Sequence, residues 1–304
     1  MIPTDILYLF YLAATAIFAY RLYSIKSSRD LFSFAGITIL ALLIFAYEKA
    51  DIQLLLSGSI LFSAIISSYG KRRCYLFIAL AVLYAWLSYS SGAFFILQSL
   101  FLGMLAGSHL SFEKPKRTKE VAELGRNAVQ LEAGAMLIAA FALLKADFAD
   151  AILFWLVILG SLLGNYALTN RKSKVSGVLY YLERDGAVLG SGARWLAIGA
   201  LVAASFLQSD FVIMVFAAIF IADSFSTLVG MKLGGPRLPY NRKKSVSGTL
   251  AYLATVFLIS APFVGLIALP LAILAAFLES QPFHIDDNFD VSALLTLAVL
   301  VMLL

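Results

Sequence analysis

The chain alternates between long apolar runs and short polar loops, and each run is about as long as a helix that crosses a bilayer. Apolar stretches recur near residues 5–21, 31–47, 52–70, 74–90, 92–110, 127–144, 149–168, 187–206 and 210–231. A span needs about 20 apolar residues, and few of these runs show the strict alternation of a barrel strand. The pattern predicts an all-α, polytopic transmembrane helical bundle. Residues 248–278 form a longer stretch interrupted by Pro262 and Pro270. As one straight helix it would measure about 46 Å, beyond the hydrocarbon thickness, so it reads as two short helices with a turn near Ser260-Ala261-Pro262. The last stretch, 291–304, would be only about 21 Å long; it either begins inside the preceding loop or stops short of spanning. About 12 membrane segments result. The clearest boundary is the polar segment from Glu113 to Glu123. It divides amino-terminal helices, 1–112, from a second region, 113–304, that carries the motifs described below.

Charge gives this pattern a direction. Twenty of the 23 Lys and Arg residues lie in five loops, Arg21–Arg29, Lys71–Arg73, Lys114–Arg126, Arg171–Arg184 and Lys232–Lys244. These loops fall at every second gap between apolar runs. The gaps in between carry little positive charge, and some are acidic, as at Asp147–Asp150 and Asp210. Basic loops stay in the cytosol, which puts the amino terminus outside. The first run carries no positive charge ahead of it and reads as a permanent span rather than a cleaved signal.

Composition narrows the function classes. The chain is 62% hydrophobic and 13% charged, against roughly 25% charged in a soluble domain. Its net charge of +5 comes from the cytosolic loops and suits topology and anionic lipid, not nucleic acid. Cys74 is the only cysteine, and His109 and His284 are the only histidines. That excludes an intrachain disulfide and any site built from several cysteines or histidines.

The loop and helix at 170–182 repeat at 241–253. Asn170-Arg171-Lys172-Ser173-Lys174-Val175-Ser176-Gly177 parallels Asn241-Arg242-Lys243-Lys244-Ser245-Val246-Ser247-Gly248, and nine of 13 positions are identical at an offset of 71. Each copy is a basic loop running into a helix. The match fades upstream, where Ile152 stands in the place of Asp223.

Asp223 lies within the apolar run Val212–Val229. An ionisable residue inside a span costs at least a few kcal/mol and marks a functional position. Thr227 and Gly230 share its helix face, and Gly230 permits close approach of a backbone or ligand. The loop that follows carries Lys232, Gly234, Gly235, Arg242, Lys243 and Lys244, then Ser245-Val246-Ser247-Gly248-Thr249 opens the next helix. Its cations attract anions, and a helix amino terminus binds phosphate through free N–H groups. Arg126, Gln130 and Gly134 fall on one face of the sixth run. Glu279, Asp286, Asp287 and Asn288 supply oxygen ligands suited to Mg²⁺.

Taken together, Asp223 to Gly230, the basic glycine loop, Lys244-Ser245 with Gly248-Thr249, and Glu279 with Ile285-Asp286-Asp287-Asn288 resemble the membrane-embedded CTP-dependent lipid kinases. That family includes dolichol kinases, phytol kinases and fungal-type diacylglycerol kinases. Its upstream Arg-Lys-x-x-His-x-x-x-Gly motif corresponds to Arg126 through Gly134, with Asn127 in place of Lys and Gln130 in place of His. The family often has Lys-Ser-x-Glu-Gly where this chain has Ser247 before Gly248. The resemblance covers about 121–304 and, in its extra amino-terminal spans, is closer to dolichol kinases. It implies transfer of the γ-phosphate of CTP to a lipid alcohol such as a polyisoprenol, with Mg²⁺ as cofactor. Asp223 would be metal ligand or base, Arg126 would neutralise phosphate charge, Gly230 and the basic loop with Ser245 and Gly248 would hold the nucleotide, and Asp286 and Asp287 would bind metal. Many spans and an approximate parallel repeat also fit a transporter, and a cytidylyltransferase making a CDP-activated lipid would use the same nucleotide.

Overall fold

The computed structural model describes residues 52–88, 93–109, 121–183, 189–282 and 286–303. The runs expected at 5–21 and 31–47 and most of the polar boundary from Glu113 to Glu123 lie outside them. The described residues are helical, with no strand among them beyond one isolated bridge between Arg237 and Ser245. Three helical stretches, Ala146–Thr169, Ser209–Leu233 and Val246–Ser280, are long and apolar enough to cross a membrane. The chain therefore has transmembrane character.

Helix α1 (Ile52–Ser67), α2 (Arg73–Ser88), α3 (Ala93–His109), α4 (Val121–Leu143), α5 (Ala146–Thr169) and α6 (Lys174–Leu182) come first. Next are α7 (Ser191–Phe206), α8 (Ser209–Phe216), α9 (Asp223–Leu233), α10 (Val246–Val264), α11 (Ala268–Ser280) and α12 (Asp287–Leu303). Two compact units form. Among the described residues, one holds 52–88, 93–109, 154–181 and 189–190; the other holds 121–153, 182–183, 191–282 and 286–303.

In the first unit α1 and α3 pack face to face through small residues. A Cβ on Gly103 would overlap Phe62 and the Ser59 carbonyl, and one on Gly58 would overlap Tyr84 and Ser99. Small residues at helix contacts let backbones approach in a membrane, where dispersion and hydrogen bonds replace the hydrophobic drive. The turn between α1 and α2 passes through Gly70 at φ +77°, and its N–H donates to Asn165 Oδ1 of α5 at 2.8 Å.

The second unit is built around α8. Residues Val212 through Ile219 are all at most 1% exposed, which makes this helix apolar and covered on every side. Phe216 stacks edge-to-face with Phe141 of α4 at 5.2 Å between ring centroids and with Phe220 at 5.7 Å. Between α8 and α9 the chain runs as a π-helix over Ala217–Ala222. Wide turns of this kind are frequent at functional sites.

The stretch Val246–Ser280 would be about 52 Å long if straight, yet its two ends touch. Asn241, just before α10, donates from Nδ2 to the Ser280 carbonyl at the end of α11 at 3.0 Å, and Tyr240 Oη pairs with Ser280 Oγ at 2.9 Å. The stretch is therefore a helical hairpin, as two short helices require. Its reversal is not at Ser260-Ala261-Pro262, where the sequence predicts a turn. Pro262 lies inside α10, and the chain turns at Gly265, at φ +68° and ψ −149°. That region of backbone space is essentially restricted to glycine. Pro262 lies in the last turn of α10, where its missing N–H removes one i to i−4 bond, to the Leu258 carbonyl, close to the helix end. The final helix begins at Asp287, inside the acidic loop, and reaches about 26 Å.

Candidate functional site

Asp223 opens α9 directly after the π-helix and is half-buried. In an α-helix its N–H would bond the Ile219 carbonyl, but here it reaches back to Ala218. The Ile219 carbonyl accepts Gln130 Nε2 from α4 at 2.8 Å. The same nitrogen donates to Asp223 Oδ2 at 3.0 Å. A backbone carbonyl only accepts, so the amide nitrogen must face it, and the bond to Asp223 follows from that orientation. One turn further along α4, a Cβ on Gly134 would overlap Phe220. Gly134 thus seats α4 against the π-helix, and Gln130 fills the gap in its hydrogen-bond ladder. Arg126, half-buried, lies one turn before Gln130 on the same side of α4. Asn127 is 2% exposed, and its Nδ2 has no partner among the described residues.

Along α9, Ser226 Oγ and Thr227 Oγ1 both donate to the Asp223 carbonyl at 3.0 Å. Gly230 meets the start of α10: an added Cβ would sit 3.0 Å from Ser245 Oγ and 3.8 Å from Gly248 Cα. Gly248 faces the Ser226 carbonyl at the same closeness, 3.0 Å. These two glycines, read from sequence as nucleotide-side residues, meet backbone and hydroxyl in this structure.

The basic loop is folded back on itself. Gly234 and Gly235 take φ of +60° and +100°. Leu238 N–H donates to the Lys244 carbonyl and Val246 N–H to the Pro236 carbonyl, each at 3.0 Å. Ser245 caps α10, accepting from Gly248 N–H at 3.1 Å. Val246 and Gly248 N–H, two of the N–H groups at this helix end, are therefore bonded within the protein. Lys232, Arg237, Arg242 and Lys243 are exposed.

Lys244 differs from these cations. It forms an ion pair and hydrogen bond with Glu279, which is 3% exposed, and lies 3.7 Å from Asp287. Burial alone would lower the Lys244 pKa, but Glu279, Asp223 and Asp287 outweigh it and raise the value above the usual 10.5. Tyr252, 1% exposed on α10, lies within electrostatic reach of the same three carboxylates. Sequence reading did not select Tyr252; its only signal is its spacing two turns beyond Ser245. Four segments distant in sequence thus converge on Lys244: α9, the basic loop with α10, the end of α11 and the start of α12.

Asp286 caps α12, its Oδ1 accepting from Asn288 N–H at 3.1 Å. Asn288 is buried, and its carbonyl lies against Gly199 of α7. Among the described residues no three His, Cys, Asp or Glu side chains form a ready metal cluster. Mg²⁺ is commonly held by one or two carboxylates together with waters and substrate phosphates. Asp223 and Asp287 are the partly exposed carboxylates acting on Lys244, and their hard oxygen donors suit that ion.

No family model matches the chain, and no solved structure matches it. Over 105 residues, 33% of the chain, it is 35% identical to Uncharacterized protein MJ1137 of Methanocaldococcus jannaschii. The match covers 52% of that protein, so the chain spans about half the length of the curated relative it matches.

Proposed function

We propose that the chain is a multi-pass membrane kinase that transfers the γ-phosphate of a nucleotide, CTP by resemblance, to a lipid alcohol such as a polyisoprenol. In this reading about 12 segments cross or enter the bilayer, the amino terminus lies outside, and the site opens to the cytosol. The observation that carries the reading is the half-buried Asp223 on an apolar helix, with one oxygen bound to Gln130 and its charge acting on Lys244. A carboxylate at that depth suits an alcohol whose chain stays in lipid.

Phosphoryl transfer rests mostly on positioning and charge neutralisation. The exposed cations Lys232, Arg237, Arg242 and Lys243 attract the triphosphate, while Lys244 is held by Glu279 and keeps the loop docked on α11. Arg126 adds positive charge on the α4 side. Asp223 accepts the proton of the attacking hydroxyl or, with Asp287, holds Mg²⁺. Bound there, the ion would supply charge neutralisation on the phosphate oxygens.

The test is purified protein in detergent with Mg²⁺ and CTP labelled on the γ-phosphate, offered geranylgeraniol, phytol, dolichol and diacylglycerol, with ATP as parallel donor. Labelled phospholipid from one alcohol, lost in Asp223→Asn, is the expected result. No transfer from either donor to any acceptor would overturn the reading, and release of pyrophosphate with a CDP-lipid would replace it with a cytidylyltransferase.

A further inference from the structure

The two copies of the internal repeat have different surroundings. In the copy at 241–253 the helix runs on for 19 residues and buries one face, Gly248, Tyr252 and Val256. In the copy at 170–182 the helix is α6, nine residues long, and only Ser176 is buried. Tyr252 is 1% exposed, and its counterpart Tyr181 is 54% exposed. Gly248 is closely packed, whereas an added Cβ on Gly177 would meet nothing within 4 Å.

The preceding helices also differ. Gly230 and Ser226 let α9 approach α10, but the corresponding positions on α5 are Leu159 and Trp155, both large and themselves exposed. Gly177 of α6 has no backbone near it as Gly248 has, and α6 is tied instead to the end of α5. The caps differ as well: Ser173 bonds Ser176 N–H in one copy and Ser245 bonds Gly248 N–H in the other, a shift of one residue in the aligned repeat.

We propose that α6 and the turn before it dock onto an anionic lipid leaflet. Lys174, Val178 and Tyr181 recur at i, i+4 and i+7, on the side of α6 opposite Ser176. Val175, Val178, Tyr180 and Tyr181 are all exposed, and so are Arg171, Lys172 and Lys174. Exposed apolar residues beside a cluster of cations are the features of a helix lying in the interface plane, and tyrosine favours that depth. Chain continuity places α6 there too. It starts five residues after α5, a candidate span, ends at Thr169, and Ser176 Oγ ties it to the Ala167 and Asn170 carbonyls of that end at 3.1 and 2.6 Å. Each cation near an anionic surface favours docking by about fivefold.

The test uses the full chain in a Cys74→Ala background with Val178→Cys carrying an environment-sensitive fluorophore. It is reconstituted in phosphatidylcholine vesicles with and without phosphatidylglycerol. The expected result is quenching by lipids spin-labelled near the headgroup, and shielding from aqueous iodide that strengthens with phosphatidylglycerol. Replacing Arg171, Lys172 and Lys174 together by Gln should remove that dependence. Equal iodide access in both vesicles would overturn the proposal. So would lipid quenching that ignores both phosphatidylglycerol and the three cations. Shielding from both quenchers would overturn it as well, by showing that residues 1–51 or a second copy of the chain cover α6.

Discussion

The side-chain amide of Gln130 donates to Asp223 Oδ2 at 3.0 Å while the same nitrogen bonds the Ile219 carbonyl at 2.8 Å. One residue on α4 thereby completes the π-helix and orients the carboxylate that follows it. Gln130→Leu should leave both acceptors unmet and cost about 1–3 kcal/mol. Gln130→Glu should cost more, because it also sets one carboxylate beside another. Thermal unfolding in detergent measures both, and a Gln130→Leu protein that melts like wild type would remove the bridge from the account.

Asp223→Asn should preserve folding, because an asparagine oxygen can still accept from Gln130. It should abolish phosphoryl transfer if Asp223 is the base or metal ligand. The unfolding midpoint and turnover are measured on the same sample; full turnover with an unchanged midpoint would exclude Asp223 from the chemistry.

Breaking the Lys244–Glu279 pair from one side should be costly and replacing both residues much less so. Lys244→Met strands the buried Glu279 carboxylate and should cost about 3 kcal/mol, near the low end for a buried pair because the Lys244 side chain is 25% exposed. Lys244→Met with Glu279→Leu should recover most of that loss, measured as a double-mutant cycle. The raised Lys244 pKa sets the sign with pH. A base raised on folding contributes stability that is fully present below its usual 10.5 and lost as pH climbs through the higher folded value. Wild-type stability should therefore fall in strongly alkaline solution by a component that is missing in Lys244→Met.

Gly134→Leu should push α4 off the π-helix, since even a Cβ there overlaps Phe220. Overpacking of this kind costs typically 1–3 kcal/mol, about as much as losing the Gln130 bridge. Because both changes disturb one contact, their costs should combine to less than the sum, which a double mutant can measure.

The hairpin reversal gives a local test. Gly265→Ala imposes a side chain on a backbone conformation that only glycine readily adopts and should cost about 1–3 kcal/mol. Pro262→Ala should cost less, because Pro262 lies within α10 and does not make the turn. The opposite order would return the reversal to Ser260-Ala261-Pro262.

Apolar run length and polar punctuation are local properties, and they alone determined that the described residues are helical and where most of their helices lie. They also required the stretch around Pro262 and Pro270 to fold back, because no single helix of that length fits a bilayer. Isolated polar residues in apolar runs singled out Asp223 and Gln130, since burial without a partner is expensive wherever it occurs. What joins those residues depends on neighbours far apart in the chain. The π-helix needs a donor from α4, 89 residues away in sequence from the carbonyl it satisfies. Glu279 becomes the partner of Lys244 only because the hairpin returns there, and Gly265, not the prolines, sets the return. The two repeat copies are nearly alike in sequence but differ in burial: Gly248 packs against Ser226 and Gly230, while a Cβ on Gly177 would meet nothing within 4 Å. Local pattern specifies which segments are helices; tertiary packing decides which polar groups meet, because that depends on how closely two backbones can approach.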